Sequence, residues 1–157
     1  MKTYFDTSLL LKSYIPENGT SETLAILREQ ESPFPFSHLL ELELRTAIRV
    51  KHGRGEITTA EMRGTLQALE SDIARGILVR PDCNLEAIYH RAEAISAKYA
   101  AATLARSADL WHVAAALEAG CDTFASFDER QRLVAVRCGL KMIPASGFAP
   151  KVRKAKR

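Results

Sequence analysis

Four carboxylates stand where the apolar pattern around them does not ask for charge: Asp6, Glu43, Asp109 and Asp128. Asp6 closes the β-forming run KTYFD, and Asp128 closes TFASF just ahead of the amphipathic stretch ERQRLVAVRCG. Asp109 falls in the first turn of the Ala-rich segment SADLWHVAAALEAG, whose start the sequence assigns to Ser107 as the cap. Glu43 lies in SHLLELELRTAIRVKHG, a helix expected over 38–52. At about 100° per residue it falls between Leu40, Ala47 and Val50, on the apolar side. Singly, each acid has an ordinary account. Asp6 and Asp128 suit helix N-caps, Asp109 suits the positive end of a helix dipole, and Glu43 suits the rim of a slightly rotated helix. Together they describe carboxylates brought to one place. Gathered like charges repel and raise one another's pKa, and a divalent cation resolves the conflict. Hard oxygen donors without a His/Cys set favour Mg2+ or Mn2+ over zinc. Such a site supports phosphodiester hydrolysis: the cation stabilises phosphoryl charge, and a carboxylate without a direct metal bond orients or deprotonates water.

Neighbouring polar residues sort themselves by the same geometry. Glu41 shares a face with Arg45, four residues on, and reads as half of a solvated ion pair. His112 shares the face of Asp109 with Val113 and Ala116, and is assigned a supporting, hydrogen-bonded role rather than metal ligation. Asp122 sits at the beginning of its strand, at the opposite end of the sheet from Asp128, and reads as a turn residue.

The elements that must position these groups alternate. Short strands are expected at KTYFD, FPFS (34–37), GILVRP (76–81), CDTFASF and LKMIPA. Helices are expected over 58–75, opened by a Thr58-to-Glu61 capping box, and over 84–99, with Leu85, Ile88, Tyr89, Ala92, Ile95 and Tyr99 at helical spacing. Gly53, Gly76, Gly120 and Gly139 each follow a periodic stretch, where a left-handed residue ends a helix. Alternating strands and helices predict a three-layer α/β/α sandwich with a short, mostly parallel sheet. Ligands of such sheets bind beyond the carboxyl ends of the strands, where Asp6 and Asp128 fall. Without repeats or linkers, residues 1–147 read as one domain and 148–157 as a basic, disordered tail.

Composition narrows the class of function. The chain has 157 residues, 46% hydrophobic and 26% charged, an ordinary globular balance. Its net charge of +3 is concentrated in KVRKAKR, the last seven residues. Residues 1–150 hold 17 basic against 19 acidic groups, a net −2, so the body is not a basic nucleic-acid wrapper. No apolar run suits a membrane span, MKTYFDTSLL does not read as a secretory leader, and Cys83, Cys121 and Cys138 are scattered without a CxxC pair. These features point to a cytoplasmic protein.

At this level of detail the chain resembles a PIN-domain ribonuclease of the VapC toxin type. YFDTSLLLKSY matches the family's opening strand–Asp–Ser/Thr turn, and ELRTAI its inward Glu helix. ADLWHVAAAL matches its D-x-x-H-x-A-x-A-L helix, and TFASFDERQ its closing strand with a T-x-D signature. The four pieces in this order are specific as a set. The resemblance implies that Asp6 and Asp109 are the principal Mg2+ ligands, with Glu43 and Asp128 contributing directly or through water. Glu41 stands two residues from Glu43; the helical face favours Glu43 as the second acid. Ser126 takes the place of the family's threonine beside the fourth acid, and Thr7 or Ser8 is available to hold a water or a phosphate. The resemblance also implies cleavage of RNA such as tRNA or rRNA, a homodimer, and a cognate antitoxin of the VapB type that places a cation among the acids. Two other classes compete. A non-catalytic, PIN-like RNA-binding or scaffold protein would gain nothing from four clustered negative charges. A phosphatase domain would want an Asp two residues after Asp6, where Ser8 stands, and a phospho-acceptor receiver would want an Asp after a central strand, where GILVRPD offers only the Pro-preceded Asp82.

Overall fold

Short strands of two or three residues, rich in β-branched and aromatic side chains, alternate with helices, and the first four strands each lead into a helix that starts on a polar cap: Asp6, Ser37, Asn84 and Asp128. The structure, a computed structural model, describes residues 2–145. In order, the elements are β1 (Thr3–Phe5), α1 (Thr7–Tyr14), α2 (Thr20–Arg28), β2 (Phe34–Pro35), α3 (His38–Gly53), α4 (Thr59–Ala74), β3 (Leu78–Val79), α5 (Leu85–Thr103), α6 (Ser107–Glu118), β4 (Thr123–Ala125), α7 (Glu129–Arg137) and β5 (Lys141–Ile143). The basic tail and the domain boundary at 147 lie outside the described residues. Among the described residues, no helix is long and apolar enough to cross a membrane.

All strand pairing is parallel. β4 lies between β1 and β5, with Phe124 opposite both Tyr4 and Met142. β2 and β3 form a separate parallel pair, Phe34 opposite Leu78. The Phe34 ring meets Phe5 edge-on at 4.9 Å, which sets this pair beside β1. Proline explains the break in the ladder. The amides of Phe34 and Phe36 donate to Ile77 and Val79, so residue 35 turns its nitrogen to the other edge, and Pro35 has no hydrogen to give there. Helices α1 to α4 pack on one another on one side and α5 to α7 on the other, giving the three-layer sandwich.

The core runs through the sheet. Tyr4, Phe5 and Phe124 are fully buried, as are Leu9, Leu40, Leu44, Ile48, Val113 and Val134. Helix α3 therefore buries the stripe Leu40–Leu44–Ile48 and not the Leu40–Ala47–Val50 side, and Val50 is 41% exposed. The rotation leaves Glu43 at the flank, its side chain 32% exposed. Small residues let α6 pack closely: Ala114, Ala115 and Ala116 are all fully buried.

The Thr58–Glu61 capping box forms as expected. Other expectations need correction. Ser107 is the first residue of α6 and not its cap; Arg106 takes the cap position, and the carboxylate of Asp109 accepts from its backbone N–H at 2.8 Å. Gly53 does not end α3 but belongs to it, and Gly55 adopts the left-handed conformation at φ +72°. Helix α2 escapes sequence reading because only Thr23 and Ile26 of its nine residues are buried, too short a stripe to show a period. Gly120, between α6 and β4, has φ +69° with open space where a Cβ would point. Gly120→Ala is thus expected to cost backbone strain alone, about 1–2 kcal/mol in urea unfolding; a neutral result would contradict the left-handed assignment.

Candidate active site

Three strand ends and helix starts deliver acids to one depression. Asp6, Glu43, Asp109 and Asp128 line a cavity of about 470 Å³ together with Thr7, Ser8, Lys12, Arg106 and Gln131. Asp6 leaves β1 as the cap of α1, its carboxylate accepting from the Leu9 N–H at 2.8 Å. Its backbone N–H donates to Ala125 of β4, which ties it to the strand that leads to Asp128. Asp128 caps α7 through the N–H groups of Arg130 and Gln131. Asp109 occupies the first turn of α6. The ordinary cap reading of these acids and the clustered reading are thus both satisfied by the same side chains.

Burial separates the four. Asp6 and Asp109 are 1% and 2% exposed, whereas Glu43 and Asp128 are half-buried at the rim. Burial pushes the carboxyl of Asp6 above its ordinary value, although hydrogen bonds from Ser126, Leu9 and Ser8 pull the other way. Burial also opposes the charge of Glu43, but hydrogen bonds from His112 and Thr7 outweigh it and hold that carboxyl below its ordinary value.

Hydroxyls and amides fix the acids to one another. The Ser126 hydroxyl donates to Asp6 at 2.7 Å and accepts from the Asp128 N–H at 2.9 Å, so one side chain sets the first acid against the fourth. Ser8 donates to Asp6 and Thr7 to Glu43, so both hydroxyls orient carboxylates. His112 is 1% exposed and reaches Glu43 through Nε2 at 2.7 Å. Glu41 points elsewhere, into an ion pair with Arg45 at 2.9 Å and another with Arg80. Asp122 lies at the other end of β4, its backbone carbonyl accepting from Lys141.

Several residues of the cavity are not legible in the sequence. Gln131 donates its side-chain N–H to Asp109 at 3.3 Å, joining the third acid to α7. Its place three residues after the capping Asp128 is the one local signal that could have found it. Lys12 sits over the Phe127 ring at 4.8 Å, and Arg106 approaches Asp109 at 3.6 Å while remaining 70% exposed. Both put positive charge at the mouth of an acidic cavity.

Among the described residues, no three His, Cys, Asp or Glu side chains are already grouped as a metal cage. The donors nevertheless fit a hard cation. Asp6 and Asp109 are buried carboxylates on one cavity, and Mg2+ keeps most of its waters and needs only one or two direct carboxylates. A cation there would also relieve the burial cost that now falls on Asp6.

No curated protein matches the chain. The crystal structure of FitAcB from Neisseria gonorrhoeae superposes with a TM-score of 0.64, covering 89% of this chain and 95% of that one. At 17% identity that likeness concerns the fold. The PIN domain matches residues 3–137, which takes in all four acids and every element from β1 to α7. On that match the chain belongs to the PIN domain family, whose members are in general nucleases that use divalent metal ions.

Proposed function

We propose that the protein is a metal-dependent endoribonuclease of the VapC toxin type, acting through Asp6, Glu43, Asp109 and Asp128. The observation that carries this reading is the convergence of four acids from four separate elements on one cavity. Asp6 and Asp109 would hold Mg2+, or Mn2+ in its place. A divalent ion supplies stabilisation of phosphoryl charge and activation of water for hydrolysis. Glu43, held by Thr7 and His112, would contribute to the cation directly or through a bound water, and would take the proton from that water. Asp128 at the rim orients that water, and Lys12 and Arg106 draw the RNA phosphates toward the acids.

The resemblance adds partners. A cognate antitoxin would block the site by placing a cation among the carboxylates, and the protein would act in the cytoplasm as a homodimer. Exposed Leu42, Leu85 and Tyr89, close to Trp111, offer apolar surface for a second copy.

Incubation of the purified protein with total RNA tests the reading. Cleavage is expected with Mg2+ or Mn2+ and not with EDTA. RNA binding without cleavage under any divalent ion would favour the non-catalytic alternative.

Metal binding should also be visible as stability, with a definite sign in pH. The folded-state pKa of Asp6 is raised, so in the metal-free protein its contribution falls as pH climbs from its unfolded value of about 3.9 through the folded one. The lowered pKa of Glu43 does the opposite: its contribution is present above about 4.3 and is lost as pH falls through the folded value. A cation competes with the proton on Asp6. Mn2+ at about a hundred times its Kd should add roughly 2.7 kcal/mol above the folded-state pKa of Asp6, and less as pH falls through it. Thermal unfolding with and without Mn2+ reads this directly; a pH-independent increment would exclude Asp6 as a ligand.

A further inference from the structure

Tyr4 lies at the centre of β1, fully buried, with its ring stacked on Phe124 at 5.5 Å and tilted against His112 at 5.9 Å. Phenylalanine would pack there as well, so the hydroxyl calls for its own explanation: a buried polar group must find partners. It has two, Ser37 Oγ at 2.8 Å and His112 Nδ1 at 3.0 Å. The other ring nitrogen of His112 meets Glu43 at 2.7 Å. A continuous file of hydrogen bonds therefore runs from the cap of α3, through β1 and α6, to the rim of the acidic cavity.

The direction of these bonds follows from the chemistry of the ends. Glu43 is a carboxylate that accepts from the Thr7 hydroxyl, and its Oε2 lies 2.7 Å from His112 Nε2, so Nε2 must carry a hydrogen. That leaves Nδ1 to Tyr4. In a neutral ring Nδ1 accepts from the Tyr4 O–H, and Ser37 donates to Tyr4. In a charged ring Nδ1–H donates to Tyr4, whose own hydrogen turns to Ser37. The Ser37 oxygen accepts from the Leu40 N–H at 3.3 Å in both cases. The two hydroxyls thus satisfy Nδ1 in either state, and the ring plane, with Nε2–H aimed at Glu43, stays fixed.

We infer that Tyr4 is a positioning residue for Glu43, acting through His112, with Ser37 as its anchor. The inference rests on the proposed metal-dependent site and deepens it. It assigns a role in the chemistry to a strand residue that otherwise looks like core. Outer partners of this kind commonly change metal affinity by about ten- to a hundredfold when removed.

The test is Mn2+ titration by calorimetry, with long-range 1H–15N NMR of His112. The metal-free wild type should show hydrogen on Nε2; a ring carrying its hydrogen on Nδ1 alone would overturn the inference without any substitution. Tyr4→Phe, which keeps the stacked ring, should weaken Mn2+ binding by about tenfold and give a mixture of ring tautomers. In a Glu43→Gln background the same change should have no further effect, because the route through Glu43 is already cut. Affinity within about twofold of wild type, or an undiminished effect in that background, would overturn the inference. Asp6→Asn run in parallel separates the two levels. If the wild type binds no Mn2+, the proposed metal site fails and this inference with it. If Asp6→Asn abolishes binding while Tyr4→Phe leaves it intact, only the positioning role fails.

Discussion

Asp6→Asn is expected to lower metal-dependent RNA cleavage by at least about a hundredfold while leaving the unfolding temperature unchanged or slightly higher. The two halves of this expectation have different causes. The charge is what a cation needs, and Asp6 is the most buried of the four acids at 1% exposure. Asparagine removes that charge but keeps an oxygen for the Leu9 N–H, so α1 retains its cap. The new amide can donate to Ser126, whose hydrogen then turns toward the Gln131 side-chain oxygen, 3.4 Å away. Burial of a charge is also relieved, which offsets any loss in hydrogen bonding. Asp6→Ala, by contrast, loses the cap as well and should cost about 0.5–2 kcal/mol. A cleavage assay and thermal melts on the three proteins check this. The toxin reading expects expression of the protein alone to halt growth, and arrest persisting in both Asp6→Asn and Asp109→Asn would sink the assigned site.

The largest effect on stability is expected at Phe124. It is fully buried in the central strand β4, pairs in register with Tyr4 and Met142, and stacks on the Tyr4 ring. Phe124→Ala removes a core aromatic from a strand bonded on both sides, and should cost about 3–5 kcal/mol. Domains of this size hold only about 5–15 kcal/mol in total, so the variant would sit near the edge of folding. Urea unfolding measures the loss; a cost under about 1 kcal/mol would mean that the helices close over the gap.

The sequence made the acids visible for a physical reason. Asp6 and Asp128 interrupt short β-forming runs, and an acid at such a boundary stands out against apolar neighbours on one side and a helical period on the other. Asp109 was legible in the same way, although its helix starts on Arg106 and not on Ser107. Helical periodicity sets Glu43 on the Leu40–Ala47–Val50 face of α3, but that face is turned aside, with Val50 exposed. It still reaches the cavity because the rotation moves it to the flank and not to the far side. Contacts made across the fold were not legible. Tyr4 and His112 are 108 residues apart, and nothing local in β1 distinguishes a tyrosine that serves the site from one that fills the core. The break between the three-stranded sheet and the β2–β3 pair was equally hidden, since it depends on which edge Pro35 presents to β1.

The caps carry one more consequence. Asp6 and Asp128 are the residues on which α1 and α7 begin, and Asp109 receives the N–H of the residue on which α6 begins. Their oxygens are oriented by backbone amides and therefore take up their places as the chain folds, before any ligand arrives. The conformational entropy of three side chains is surrendered in folding and not at the moment of binding. Entry of a cation is then chiefly an exchange of water, and its thermodynamic signature should be release of solvent with little further ordering of the protein.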